Sequence, residues 1–412
     1  GTGKSMVITT IIQKIVAYLE KNSKLVTNSK NELENIQVAC PTGKAVNVIN
    51  DNFLDSGFHY KIAVDTIHGF AFYPKPVVKR QKVKRVDIGR YKNRKNIRIV
   101  KDVDKNDEYT IEIENVYFTQ KEREKVEVVD LLIVDEASMI TSKMYQDIID
   151  YDIKILFVGD TAQLPPVEKN FERVNVLGEP NARLTTIFRQ AEGNAIRELS
   201  EHIRNGKPLQ EGVYGTKNEV KIISHETFWR NAELRRQIYL HADQVICGRN
   251  DTRRLLNQEI RYVKGFSGDL PMVGEKVICL KNQKEIRIGG LDLVNGLTGE
   301  VVDVDTTNLV PVKNNEHTFS MTFRPEGVED IFHQKLTVST LPFQEEKISG
   351  AYMHRSPHSF FDFGYAITCH KSQGSQWDNV LVLEEMLSSD IHLNWLYTAV
   401  TRAKKGLIVV KR

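Results

Sequence analysis

At 412 residues, 41% apolar and 27% charged, the chain is too long for one hydrophobic core and too apolar to be disordered. A net charge of +3 is too small to argue nucleic-acid binding by itself. The four scattered cysteines (Cys40, Cys247, Cys279, Cys369) form no C-x-x-C pair, which argues against structural zinc and for a reduced, cytoplasmic setting.

The first element is the most informative. Gly1-Thr2-Gly3-Lys4-Ser5 supplies the last five positions of the phosphate-loop pattern G-x-x-x-x-G-K-[ST]. Backbone N–H groups of such a loop surround phosphate oxygens. Lys4 would reach the β- and γ-phosphates of ATP, and the Ser5 hydroxyl would ligate Mg²⁺. From Met6 to Leu19 apolar residues recur at helical spacing (Val7, Ile8, Ile11, Ile12, Ile15, Val16, Leu19), so the loop sits at a helix N-terminus, where orphan N–H groups favour an anion. The loop's first glycine and the apolar strand that ordinarily feeds it are not in the sequence. The expectation is an upstream segment that completes the first sheet, without which the loop binds ATP poorly.

Further along, Ile36–Cys40, Leu131–Val134 and Ile155–Val158 are short apolar runs of the kind that form parallel strands buried on both faces. Helical patterns lie between them, which predicts an α/β fold with ligands at the carboxyl ends of the strands. Residues 73–127 interrupt the alternation. Between Lys75 and Arg98 there are eleven lysines or arginines and a single acid, Asp87, and an acid-rich stretch follows. Ile97 and Ile99, then Tyr109, Ile111 and Ile113, alternate around a polar turn and predict a β-hairpin insertion. A basic run is as often a plain solvated face, and Phe70, Phe72 and Tyr73 beside it suit either base stacking or packing of the hairpin's foot.

Asp135-Glu136 closes the Leu131–Val134 run. Asp135 is suited to hold Mg²⁺ and Glu136 to polarise the water that attacks the γ-phosphate. An acidic pair after a strand is also a common helix cap, but the phosphate loop about 130 residues upstream favours the catalytic reading. Gln163, in Gly159-Asp160-Thr161-Ala162-Gln163-Leu164-Pro165-Pro166, can donate to a γ-phosphate while accepting from water. Arg189 and Arg402 are candidates to stabilise charge on a transferring phosphoryl group, with an ordinary surface arginine as the alternative for either. A second α/β stretch includes Gln244–Cys247 and resumes at Tyr365–Ile367 and Leu407–Val410. Between them, Gly265 to Asp362 has the texture of a small inserted β-barrel.

The order of G-T-G-K-S, C-P-T-G-K-A (40–45), D-T-I-H-G-F (65–70), D-E-A-S (135–138), G-D-T-A-Q-L-P-P (159–166), F-R-Q (188–190), H-K-S-Q-G-S (370–375) and Y-T-A-V-T-R-A (397–403) resembles superfamily 1 DNA helicases of the RecD-like branch. The resemblance implies two RecA-like parallel-sheet motor domains. The first comprises 1–72 and 128–190, interrupted by a hairpin wedge at 73–127. The second comprises 191–264 and 364–412, interrupted by an SH3-like β-barrel at 265–363. It implies an ATP-dependent DNA helicase stepping 5′ to 3′ along single-stranded DNA in replication, recombination or repair, in a bacterial or phage-infected cell. ATP and Mg²⁺ would bind between the motors. Pro41, Thr42, Gly43, Thr66 and His68 on one motor, and His370, Lys371, Ser372 and Gln373 on the other, would grip the phosphates of single-stranded or forked DNA. A single-strand-binding protein or replisome partner is not readable from these residues, and no membrane segment is present to suggest a lipid partner. An RNA helicase, a non-helicase phosphate-loop NTPase and a DNA-binding module without turnover are the rival readings. Intact Lys4, Asp135, Glu136, Arg189 and Arg402 argue against the last.

Overall fold

The apolar runs predicted as buried strands line up in one parallel sheet. Its order is Lys61–Thr66, Glu32–Cys40, Leu131–Val134, Lys154–Phe157, with Ile36 opposite Leu131 and Leu131 opposite Lys154. The computed structural model describes residues 4–22, 24–28, 31–55, 59–86, 97–101, 106–123, 126, 128–166, 174–184, 194–217, 219–313, 316–344 and 348–412. Leu132, Ile133 and Val134 are fully buried because helices cover both faces of the sheet. On one face Ile8, Ile12 and Val16, one stripe of the Lys4–Lys21 helix, pack with Val38 and Ile133. On the other, Ile67, Phe70 and Ile148 pack with Leu132 and Val134.

A second sheet has six strands in the order Ala366–Thr368, Gln244–Cys247, Trp377–Leu383, Ala403–Lys411, Val220–Ser224, Gly212–Tyr214, all pairs parallel except the last. The His392–Val400 helix covers one face, and its Trp395 is fully enclosed beside Val380, Val382 and Leu407.

Between two strands of that sheet the chain leaves to build a third. Lys335–Ser339, Glu316–Pro325, Thr298–Lys313, Lys276–Cys279 and Phe361–Phe363 form an antiparallel sheet around Val277, Phe323, Val338 and Phe361. A bridge between Val338 and Ser359 joins its two edges, so no long edge is left open. A hairpin, Gln283–Ile288 with Leu291–Leu293, projects from it.

The basic run departs from the expectation of a simple hairpin. The expected pairing of Ile97–Lys101 with Glu108–Gln120 is present, but Phe72–Lys84 is also a strand, and it pairs along all thirteen residues with Glu108–Gln120. Basic and acidic positions fall opposite one another: Arg80 faces Glu112 and Lys84 faces Glu108. The charges that hid this strand in the sequence are matched across the pairing, beside the buried Val83 and Ile111.

Candidate functional site

The motif residues gather where the first two sheets meet. Lys4 and Ser5 open the Lys4–Lys21 helix, and Gly1, Thr2 and Gly3 lie outside the described residues. Asp135 follows the buried strand directly, is only 5% exposed, and its N–H donates to the Ala39 carbonyl at 3.0 Å. Glu136 adopts a left-handed backbone, φ 50°. That conformation costs a non-glycine residue roughly 1–2 kcal/mol. The Ala137 N–H donates to Val158 O at 2.9 Å and holds the kink, and Glu136 Oε2 is buried with no hydrogen-bond partner. Strain held in this way, with an acceptor left bare, makes Glu136 a candidate functional position.

The next loop starts at Gly159, where a Cβ would stand 2.5 Å from Leu177 Cδ1 and 3.0 Å from Ser138 N, so only glycine fits. Asp160 Oδ1 accepts from Ala162 N at 3.1 Å and turns the chain. Gln163 is 7% exposed, with its carboxamide oxygen unpartnered. It lines a cavity of about 300 Å³ together with Ser138, Thr161 and Asn394. The second sheet's helix reaches this loop: Tyr397 OH donates to Asp160 Oδ2 at 2.9 Å, and the Leu164 N–H donates to Thr398 Oγ1 at 2.7 Å.

Arg402 lies just beyond that helix and is 5% exposed. Its guanidinium donates to Thr398 O (2.9 Å), Ser375 O (3.2 Å) and Thr401 Oγ1 (3.0 Å). Burial pulls its pKa down, and the Glu136 and Asp160 carboxylates of the first sheet pull it back. An arginine stays charged regardless, so a buried cation from one sheet faces acids of the other. Arg189 lies outside the described residues.

The expected strand-binding residues divide. Thr42 and Thr66 are half-buried at helix N-termini: Thr42 Oγ1 accepts from Ala45 N (3.3 Å) and Thr66 Oγ1 from Gly69 N (3.0 Å). Pro41 is half-buried, while Gly43 is buried and would place a Cβ 2.8 Å from Val294 Cγ1. His68 is exposed and stacks on Phe72 at 4.5 Å; burial, with Lys143 and Lys284 nearby, lowers its pKa. Phe70 is a core residue, edge-on to Tyr151. His370 Nε2 is buried without a partner, and burial lowers its pKa. Lys371 is pushed down to about 8, chiefly by burial and then by Arg253. Ser372 and Gln373 turn inward. The Ser372 hydroxyl donates to Cys369 O at 2.7 Å and Gln373 Nε2 to Leu164 O at 3.0 Å, so neither side chain faces a strand in this arrangement.

Several residues were not singled out from the sequence. Lys44 Nζ donates to Gly296 O at 2.8 Å and lies 5.6 Å from the Trp377 ring; burial pushes it down to about 8. Asn47 Nδ2 donates to Asp292 O at 3.3 Å, and Lys284 forms an ion pair with Asp65. These contacts fasten the Gln283–Leu293 hairpin and the turn after it over the 40–45 and 65–68 loops. Lys44 stood in a quoted motif, but its partner 252 residues away had no signature.

A buried arginine at the end of a helix that hydrogen-bonds the other sheet's loop is the arrangement of a phosphate-loop NTPase built from two RecA-like halves. The chain belongs to the AAA domain family, which it matches over residues 1–225, and it is similar to helicases of the RecD-like branch. Residues 363–410 match the UvrD-like helicase C-terminal domain. Over 284 residues the chain is 28% identical to the ATP-dependent RecD2 DNA helicase of Deinococcus radiodurans, covering 67% of this chain and 35% of that protein. Over 461 residues it is 22% identical to the RecBCD enzyme subunit RecD of Buchnera aphidicola, covering 99% and 68%. The chain thus spans about a third of the RecD2 relative's length. Its fold is similar to the crystal structure of Pif1 helicase from Candida albicans, with TM-score 0.50, 17% identity and coverage of 100% and 88%.

Proposed function

We propose that this protein is an ATP-dependent DNA helicase that steps 5′ to 3′ along single-stranded DNA and opens a fork. The observation that carries the reading is Arg402, buried at the end of the helix whose Tyr397 and Thr398 hydrogen-bond Asp160 and Leu164 of the first sheet's loop. Such a guanidinium adds positive charge beside a γ-phosphate only while the two halves are closed, which couples closure to hydrolysis.

The reading gives each residue a role. Lys4 and the helix N-terminus bind the phosphates. Glu136, with its bare Oε2, takes the proton of the attacking water, and Gln163 orients that water. Asp135, buried at the end of its strand, is the carboxylate suited to Mg²⁺, which uses one or two carboxylates plus substrate phosphates, with Ser5 of the phosphate-loop pattern as the hydroxyl ligand. When bound there, Mg²⁺ supplies positive charge to the β- and γ-phosphate oxygens. Thr42, Thr66 and His68 on one half, and His370 and Lys371 on the other, grip the DNA backbone alternately, with Pro41, Gly43, Ser372 and Gln373 shaping those loops. The three-stranded sheet within 73–127 is the wedge, and 265–363 is an SH3-like accessory domain. Among the described residues no helix is long and apolar enough to cross a membrane.

The test uses protein whose phosphate loop is complete, assayed for ATP turnover with and without single strands and for displacement on DNA and RNA forks of both polarities. DNA-stimulated turnover with displacement on 5′-tailed DNA forks is expected, and Glu136→Gln should keep ATP binding but lose turnover. Equal turnover without nucleic acid favours a plain NTPase, and preference for RNA forks favours the RNA helicase.

A further inference from the structure

The Gln163 loop departs from the first sheet, yet its backbone is held by the second. Asn394, half-buried on the His392–Val400 helix, points Nδ2 at three successive carbonyls: Thr161 O at 3.2 Å, Ala162 O at 3.1 Å and Gln163 O at 3.2 Å. Gln373 Nε2 takes the fourth, Leu164 O, at 3.0 Å. Four consecutive carbonyls of one loop therefore accept from side-chain amides 209 to 233 residues away. Packing agrees: Leu164 is fully buried in the core of the second sheet, with Ala162 against it. The same helix ends beside Arg402.

We propose that Asn394 is a positioning residue for hydrolysis, acting through Gln163: it fixes the loop to the Arg402 helix so that carboxamide and guanidinium enter and leave the phosphate site as one body. The inference rests on the NTPase reading above. Asn394 touches no reacting atom. Its amide has two hydrogens for three acceptors, so the contact is shared and directional, and a group of the same shape without donors cannot replace it. A loop displaced by about 1 Å loses on the order of a hundredfold in rate, while phosphate affinity, set by Lys4 and the helix N-terminus, is untouched.

The discriminating variant is Asn394→Asp, which keeps shape but turns carboxylate oxygens toward carbonyl oxygens. Asn394→Ser is the second variant, small enough for a half-buried site. Both are measured alone and with Gln163→Ala. DNA-stimulated kcat should fall about tenfold to a hundredfold with KM for ATP within about twofold, and in the Gln163→Ala background neither should lower kcat further. Amide hydrogen exchange over residues 160–164 is measured in parallel and should accelerate in both variants. Unchanged exchange, or rate effects that multiply with Gln163→Ala, would overturn the inference. Accelerated exchange in a protein whose parent shows no nucleic-acid-stimulated turnover would leave the tether standing and sink the helicase reading instead.

Discussion

The two-sheet seam and the three-stranded arm are both held by polar contacts, but of opposite kinds. At the seam the contacts are short hydrogen bonds to backbone groups, enclosed by Leu164, Trp395 and neighbouring core residues. Along the arm they are charge pairs in open water: Arg80 with Glu112 at 2.8 Å, Lys82 with Glu108 at 3.7 Å, Arg85 with Asp107 at 3.8 Å, the Arg80 side chain being 74% exposed. Exposed pairs of this sort contribute about 0–1 kcal/mol each and weaken with salt, whereas a buried polar group that loses its partner costs about 1–3 kcal/mol. The seam is thus built to transmit position, and the arm to keep a register while staying solvated.

That contrast breaks first at the arm. Replacing residues 74–119 with a short Gly-rich linker should abolish strand displacement while sparing single-strand-stimulated ATP turnover; retained displacement would end the wedge assignment. At the seam, Arg402→Ala should lower DNA-stimulated turnover on the order of 10³-fold, and a steady-state assay within a few-fold of the parent would remove its role at the phosphate.

A third contact, Lys44 against Gly296, gives a pH signature. Its pKa of about 8 in the folded chain lies below the ordinary 10.5 because burial disfavours the charge. Between those values the unfolded chain holds a proton that the folded chain has shed, so stability from this group rises with pH from about 8 to 10.5. Urea melts of Lys44→Met should lack that rise relative to the parent, and parallel pH profiles would contradict it. The smallest effect belongs to Arg80→Ala. We expect a loss of at most about 1 kcal/mol at low salt, fading by 1 M NaCl, and a salt-independent loss would mean that the arm depends on burial after all.

Strands such as Leu131–Val134 and Gln244–Cys247 were readable because burial on both faces leaves an unbroken apolar run, whereas the partly exposed Lys61–Thr66 at the sheet edge was not read as one. Phe72–Lys84 was not, because it is stabilised by cross-strand charge, which has no periodic apolar signal. The acidic pair, Gln163 and Arg402 were legible as types at particular spacings, whereas their partners were not. Asn394 reads as one more polar residue on a helix, and its role appears only when residues 161–163 are brought beside it. Ser372 and Gln373 show the converse. A hydroxyl and an amide in a loop suggest a ligand, yet tertiary packing had already assigned both to backbone carbonyls. Arg189 and Gly1–Gly3 fall outside the described residues, so their chemistry rests on the pattern alone.

The strand Ala403–Lys411 lies inside the second sheet, between Trp377–Leu383 and Val220–Ser224, although it is nearly the last stretch of this sequence. The order of synthesis acquires a meaning from that position. A growing chain completes its first sheet at Phe157, but the Gln163 loop must wait while some 240 further residues emerge before Thr398 and Arg402 exist to receive it. Until residues 403–411 are out, the strands on either side of them have no common neighbour and the helix bearing Asn394 has no finished floor. A nascent chain that stops between Phe157 and Arg402 has the first sheet but not the arginine, nor the helix that receives the Gln163 loop.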